Sequence, residues 1–131
     1  MILAICVDKK MGMQFNHRRQ SQDAALRRNL LESSGGRLYL SLYTAGQFDE
    51  NDPVIASDDY LNIAGRGDWV FAEDDDYLQF RDKIEKIILY HWNRDYPRDL
   101  CFRFPGQWRL TESMDFPGTS HDTITREVYI P

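Results

Sequence analysis

The chain has 131 residues, of which 42% are hydrophobic and 28% charged, with a formal net charge of −5 at pH 7. A chain of this length forms one domain and buries roughly two thirds of its unfolded surface, so we expect a single domain over residues 1–131. The acidic balance argues against nucleic acid as the main partner, because phosphate binding needs a basic face. No apolar run approaches the roughly 20 residues of a membrane span, so we expect no membrane association.

The first strand is the clearest local signal. Residues 2–7 read Ile-Leu-Ala-Ile-Cys-Val, six apolar residues without alternation. Such a run predicts a strand covered on both faces, which is typical of the middle of a parallel sheet. The following segment, residues 8–20, is predicted to be a loop that leaves the carboxyl end of this strand. Open α/β sheets bind their ligands at that edge.

Helices and strands alternate through the next part of the chain. A helix is predicted over residues 21–33, with Ser21 as its N-cap and Asp23 in its first turn. Residues 37–44 are predicted to form a strand with Leu38, Leu40 and Leu42 on one face and Tyr39 and Tyr43 on the other. Further strands are predicted over residues 54–56, 68–72, 85–92 and 99–104, and further helices over residues 58–64 and 76–83.

The chain ends in a predicted antiparallel pair, residues 108–116 and 123–130, joined around Pro117-Gly118. Strand–helix alternation followed by such a hairpin predicts an α/β fold: a mixed, mostly parallel sheet flanked by helices, with a C-terminal antiparallel hairpin.

The two cysteines and three histidines suggest neither a disulfide nor a metal site. Cys6 and Cys101 both lie in apolar runs and are predicted to be small buried hydrophobes. Because Met1 does not begin a signal peptide, we expect a reducing, cytoplasmic location. His17, His91 and His121 lack the spacing of metal ligands, so no metal is expected.

The order of these elements and several short motifs resemble dihydrofolate reductase. The first strand, followed by Asp8-Lys9 and Met11-Gly12-Met13, resembles that family's opening strand and mobile active-site loop. The longest match runs from Tyr77 to His91 and resembles the family's passage from a helix to a strand. Trp108 and Thr125-Arg126-Glu127-Val128-Tyr129 resemble its closing hairpin. The chain is some tens of residues shorter than a typical member, between Thr44 and Ser57.

This resemblance implies a nicotinamide cofactor across the carboxyl edge of the sheet and a pterin beside it. It implies that Asp23 is the catalytic carboxylate that binds the pterin and supports its protonation. The cofactor contacts that it implies come from Ala4, Gly12, Met13 and Thr44.

The chain departs from the family at the turn that receives the pyrophosphate. The matching positions are Ala72 and Glu73, followed by Asp74, Asp75 and Asp76, in place of two glycines. At about 4 Å and an effective dielectric near 20, each carboxylate repels a phosphate charge by about 4 kcal/mol. A helix dipole contributes only about 0.3–1 kcal/mol. The alternative is a solvated loop whose charges favour the next helix.

The predicted site region has gained basic residues. Arg27 and Tyr90 replace an aromatic residue and a threonine that contact the pterin in the family. The segment before the first helix contains His17, Arg18 and Arg19. We therefore predict a site for a small anion that involves Arg18, Arg19, Arg27 and Tyr90, the alternative being a solvated charge cluster.

Two functional hypotheses remain. The favoured one is a divergent dihydrofolate reductase-like protein that has lost the standard NADPH and folate site. It would need no cofactor and would bind a small anionic ligand or a protein partner. The alternative is an active NADPH-dependent reductase of a pterin-like or folate-like substrate, with Asp23 as the acid and residues 11–21 as a lid.

Overall fold

The first strand lies at the centre of the sheet. In the computed structural model, which describes residues 1–131, β1 (Ile2–Val7) pairs in parallel with β6 (Trp69–Phe71) on one side and with β7 (Lys86–His91) on the other. Residues 3–7 of β1 are buried, as the unbroken apolar run requires when both faces are covered. The predicted central strand is confirmed.

The main sheet has seven strands and combines both pairing directions. Its outer members are β4 (Leu38–Leu40), β5 (Val54–Ala56), β9 (Arg109–Phe116) and β10 (Ile124–Ile130). The order is β5-β4-β6-β1-β7-β10-β9. The first five strands in this order are parallel to one another, whereas β10 is antiparallel to both β7 and β9. The predicted mixed, mostly parallel sheet with a C-terminal hairpin is confirmed.

The helices are short except for the first. They are α1 (Ala24–Ser34), α2 (Leu42–Ala45), α3 (Tyr60–Ile63) and a 3-10 helix over Asp76–Lys83. Leu26 and Leu30 of α1 pack with Ala4 and Cys6 in one hydrophobic cluster. The other face of β1 contributes Leu3, Ile5 and Val7 to a second cluster. The core therefore consists of two apolar layers that cover the two faces of the sheet. No helix has both the length and the apolar character needed to cross a membrane.

The prediction of a loop over residues 8–20 is wrong. This segment contains β2 (Gly12–Phe15) and β3 (Arg18–Arg19), which form a second sheet of order β3-β2-β8 with β8 (Leu100–Cys101). Asn16 and His17 make the tight turn with φ of 52° and 62°, values that suit a two-residue hairpin. The pairing with β8 bridges over 80 residues, so no local pattern signals it.

The predicted start of α1 is wrong by a few residues. Asp23 has extended backbone angles, and its side chain accepts hydrogen bonds from the amides of Ala25 and Leu26. Asp23 is therefore the N-cap, and Ser21 lies outside the helix. A buried carboxylate is the stronger acceptor for these amides because it carries a full charge.

The predicted extent of the strand over residues 37–44 and the predicted burial of Cys101 are also wrong. The strand predicted over residues 37–44 stops at Leu40, where Ser41 caps α2 by accepting a hydrogen bond from the amide of Thr44. Leu42 consequently lies on an exposed turn of helix with 61% of its surface accessible. Cys101 is exposed, because β8 lies in the small sheet at the surface, whereas Cys6 is buried as predicted.

The change from strand to helix at Ser41 gives a matched test of the core. Leu40→Ala removes a fully buried side chain and should lower the free energy of unfolding by about 2–5 kcal/mol, because it leaves a cavity. Leu42→Ala should change it by less than about 0.5 kcal/mol. Urea unfolding of both variants measures the two values. Equal losses would contradict the boundary between β4 and α2.

Candidate functional site

The carboxyl ends of the parallel strands meet at one edge of the sheet. Asp8 follows β1, Ser41 follows β4, Ala72 follows β6 and Trp92 follows β7. This is the edge at which open α/β sheets bind ligands. The candidate site is formed by these segments, the start of α1 and the small sheet.

Asp23 is the most buried acidic side chain beside α1, with an exposed fraction of 1%. Residues 117–123, which connect β9 to β10, fold over it. Asp23 accepts hydrogen bonds from the amides of Thr119 (3.0 Å) and Ser120 (2.7 Å), and its Oδ2 lies 3.0 Å from Nδ1 of His121. The loop is thereby attached to the N-terminus of α1.

The hydrogen bonds determine the protonation state of Asp23. Burial alone would raise its pKa, but hydrogen bonds from the Thr119 amide, His121 and the amides of Ser120 and Leu26 outweigh burial and lower the pKa to about 2. The side chain is an anion at neutral pH and holds no proton to donate.

His121 occupies the space above Asp23. Its ring stacks on Trp92 with centroids 4.6 Å apart and an angle of 23° between the planes. Its second nitrogen, Nε2, lies 3.1 Å from Oγ of Ser21 and 2.8 Å from Oη of Tyr96. The close approach requires Gly118, where a Cβ would lie 2.5 Å from the His121 carbonyl oxygen and 2.8 Å from Asp23 Oδ2.

Only a small cavity remains between this group and the sheet. Its volume is about 10 Å³, room for about one water molecule. The residues that line it are Cys6, Met13, Arg19, Gln20, Ser21, Ala72, Glu73 and Trp92.

A larger cleft of about 720 Å³ lies beside the ends of β4 and β6. Its lining includes five carboxylates, from Asp58, Glu73, Asp74, Asp75 and Asp99. Burial, opposed by a hydrogen bond from the Asp76 amide, raises the pKa of Asp74, and the neighbouring charges of Asp76 and Asp75 add to the rise.

Glu73 differs from the other acids in this cleft because it is paired. Nε of Arg19 lies 3.1 and 3.0 Å from its two carboxylate oxygens, and Nε2 of Gln47 donates to it at 3.1 Å. Glu73, which is predicted to repel a pyrophosphate, is thus paired with Arg19, which is predicted to bind an anion.

The four residues implied as cofactor contacts are mostly engaged within the protein. Ala4 is fully buried, and its carbonyl oxygen accepts from the amide of Ala72. Met13 is buried, and a Cβ at Gly12 would meet Gln20 Nε2 at 2.6 Å. Thr44 is buried in α2, where its hydroxyl accepts from that of Ser41 at 3.0 Å. Their role in cofactor binding stays a prediction.

The four residues predicted to bind an anion do not converge on one point. Arg18 is exposed, Arg19 is held by Glu73, and Arg27 donates to the side chain of Gln22 at 3.1 Å. The buried hydroxyl of Tyr90 donates to Oδ1 of Asn29 at 2.7 Å, and burial raises the pKa of Tyr90 to about 12.

Arg18 and Arg19 both line another cleft, whose volume is about 460 Å³. Phe15 and Tyr96 contribute its aromatic surface, and Gln20 forms part of the wall that separates it from the 10 Å³ cavity. This is the one cleft at the edge in which arginines face open space.

Comparison with protein-family models and with curated protein sequences gives no match. Comparison with solved structures matches a dihydrofolate reductase from Enterococcus faecalis, complexed with NADP(H) and RAB-propyl. The match has a TM-score of 0.69 and 11% sequence identity, and covers 99% of this chain and 95% of that one. This chain has the dihydrofolate reductase fold. At this identity the likeness extends to the fold alone.

Sequence patterns did not identify the residues that cover the candidate site. In the sequence, His121 lacks the spacing of a metal ligand, and neither Trp92 nor Tyr96 belongs to a recognisable motif. A usable signal was the combination of Gly118 with a histidine in a polar loop at the end of β9. Their contact with Asp23, 98 residues away, depends on the folded sheet.

The depressed pKa of Asp23 predicts a pH-dependent contribution to stability. Since the pKa lies below its ordinary value of 3.8, the contribution is complete above about pH 4 and is lost as the pH falls towards about 2. Asp23→Asn should therefore lower the free energy of unfolding by about 2 kcal/mol at neutral pH, and by much less near pH 2.

Urea unfolding of the wild type and Asp23→Asn at both pH values measures this difference. Asp122→Asn, at an exposed position of the same loop, is the matched control and should have little effect at either pH. A loss for Asp23→Asn that is the same at both pH values would contradict the assignment.

Proposed function

We propose that this chain uses the dihydrofolate reductase fold to bind a small anionic ligand and does not reduce folates. The observation that carries the proposal is the arrangement around Asp23. Its two oxygens accept five hydrogen bonds, from the amides of Ala25, Leu26, Thr119 and Ser120 and from His121. A carboxylate so engaged has no free lone pair directed at a pterin, and its low pKa leaves it without a proton to supply.

The residues at the sheet edge do not fit NADPH. The 720 Å³ cleft that would receive its phosphates presents Asp58, Asp74, Asp75 and Asp99 in addition to the paired Glu73. A carboxylate about 4 Å from a phosphate costs about 4 kcal/mol at an effective dielectric near 20. No arginine or lysine lines this cleft to offset that repulsion. We therefore derive no hydride transfer for this chain.

The 460 Å³ cleft fits a small anion better. Arg18 presents an exposed guanidinium, and Arg19 adds a second one whose charge is partly balanced by Glu73. Phe15 and Tyr96 supply aromatic surface for an apolar portion of the ligand. Guanidinium groups form charge-assisted, bidentate hydrogen bonds with carboxylates and phosphates. We infer a ligand that combines one anionic group with a flat apolar part.

A protein partner is the second candidate. Leu42 and Tyr43 of α2 and Ile55 of β5 are exposed large apolar side chains near one end of the sheet. Exposed apolar groups in proximity are typical of binding surfaces. Pull-down from a cell extract with the wild type and with Leu42→Ser as bait tests this candidate, and identical captured proteins would remove it.

NADPH should not bind at metabolite concentrations. Titrating NADPH while following tryptophan fluorescence should give no saturable quenching up to millimolar levels, because the phosphates meet unpaired carboxylates. Trp92 directly follows β7 at this edge of the sheet and serves as the fluorescent reporter. Saturable quenching at micromolar levels, with NADPH oxidation on addition of dihydrofolate, would restore the reductase alternative.

Arg18 should determine anion affinity. Phenyl phosphate is a suitable probe, and isothermal titration calorimetry should show binding that weakens about tenfold in Arg18→Ala, through loss of a charge-assisted hydrogen bond. The matched control is Arg28→Ala, at an exposed position of α1 outside the cleft, which should bind as the wild type does. Equal affinity of Arg18→Ala and the wild type would reject this cleft as the anion site.

A further inference from the structure

Three side chains lie next to one another where the loop over residues 117–123 meets the N-terminus of α1. Oγ of Ser21 is 3.1 Å from Nε2 of His121, and Nδ1 of the same ring is 3.0 Å from Oδ2 of Asp23. Both distances fall within the range expected for a nucleophile, its general base and the group that orients the base. None of the predicted functions uses this arrangement.

The charge of Asp23 determines the tautomer of His121. An ionised carboxylate can only accept hydrogen bonds, so Nδ1 of His121 carries the proton and donates it to Asp23. In the tautomer with the proton on Nδ1, the lone pair of the ring is on Nε2, which faces Ser21 and Tyr96. Stacking on Trp92 at 4.6 Å holds the ring in this plane. The base is oriented before any substrate arrives.

Ser21 is placed where a nucleophile can be reached. It is only partly buried, whereas His121 and Asp23 are almost fully buried. It precedes the N-terminus of α1 by three residues, and no backbone hydrogen bond within the protein uses the amide of Ser21 or Gln22. Free amides beside the nucleophile, near the positive end of a helix dipole, are the donors that stabilise an oxyanion.

We propose that Ser21, His121 and Asp23 form a catalytic triad that hydrolyses esters of short acyl groups. The limit on the acyl group follows from the cavity beside Ser21, whose volume of about 10 Å³ holds about one water molecule and therefore excludes acyl chains longer than that of an acetyl group. Arg19 and Gln20 line both this cavity and the 460 Å³ cleft, so the two spaces are adjacent and the alcohol part of the ester extends towards Arg18 and Tyr96.

The chemistry balances with water as the only co-reactant. Oγ of Ser21 bonds to the ester carbonyl carbon while its proton passes to Nε2 of His121. The bond from that carbon to the alcohol oxygen then breaks, and the alcohol leaves with the proton from Nε2. Water attacks the acyl-Ser21 in the same way, releasing the acid and restoring the Ser21 hydroxyl. Asp23 stays ionised throughout and stabilises the imidazolium.

Tyr96 shares the nitrogen that serves as the base. Its Oη lies 2.8 Å from Nε2 of His121 and 3.3 Å from Oγ of Ser21. It is therefore the one other hydroxyl that His121 can activate, and the test must separate it from Ser21. The proposal goes beyond the proposed function, because the triad needs no anionic ligand in the cleft.

The test uses the full chain with p-nitrophenyl acetate and p-nitrophenyl butyrate. We expect hydrolysis of the acetate, at least about tenfold slower hydrolysis of the butyrate, and a loss of at least about a hundredfold in Ser21→Ala. Ser113→Ala, at an exposed position of β9, is the matched control and should hydrolyse the acetate at the wild-type rate. Unchanged hydrolysis in Ser21→Ala would overturn the proposal, and equal rates for both esters would overturn its limit on the acyl group.

Acid quenching during turnover, followed by peptide mass spectrometry, identifies the nucleophile. We expect one acetyl group on Ser21 that is absent from His121→Gln, with circular dichroism to verify that this variant is folded. An acetyl group on Tyr96, or acetylation of Ser21 that persists in folded His121→Gln, would overturn the triad. If His121→Gln does not fold, the site of acetylation in the wild type decides the outcome: an acetyl group on Ser21 supports the triad, and an acetyl group on Tyr96 alone, or on neither residue, overturns it.

Discussion

The buried carboxylate of Asp23 holds together two parts of the chain that are 96 to 98 residues apart. A charge removed from water is costly unless hydrogen bonds replace its hydration. Here the N-terminus of α1 provides two amides, and the loop after β9 provides two more with an imidazole. The position of α1, the path of residues 117–123 and the placement of His121 all depend on this one anion.

This interaction changes what the ligand edge of the dihydrofolate reductase fold can do. The resemblance to dihydrofolate reductase implies that the acid at the start of α1 contacts a pterin. In this chain the acid anchors a loop, and His121 stacks on Trp92 in the space above it. Room for ligands lies further out, in two clefts of opposite character. Function must therefore be argued from the site, because the fold is compatible with several chemistries.

The acidic run after β6 is less uniformly repulsive to an anion than the sequence indicates, because Glu73 is paired with a cation. The Glu73 carboxylate contacts Arg19 and Gln47. The residue predicted to repel a phosphate and one of those predicted to bind an anion therefore neutralise each other. The cleft is acidic nevertheless, because Asp74 and Asp75 of the run line it together with Asp58 and Asp99 from other parts of the chain. The acidity of the cleft is thus a property of the assembled edge.

The sequence by itself determined the central strand, the mixed sheet and the C-terminal hairpin. An unbroken apolar run such as Ile2–Val7 and the alternation of elements depend on neighbours along the chain, so they can be read locally. Only the tertiary structure decided the end of β4 at Leu40, the hairpin within residues 8–20 and the meeting of Ser21, His121 and Asp23. Each of these features depends on a helix cap or on hydrogen-bond partners that only the packing of the folded chain brings together. Several of these partners are far apart in the sequence.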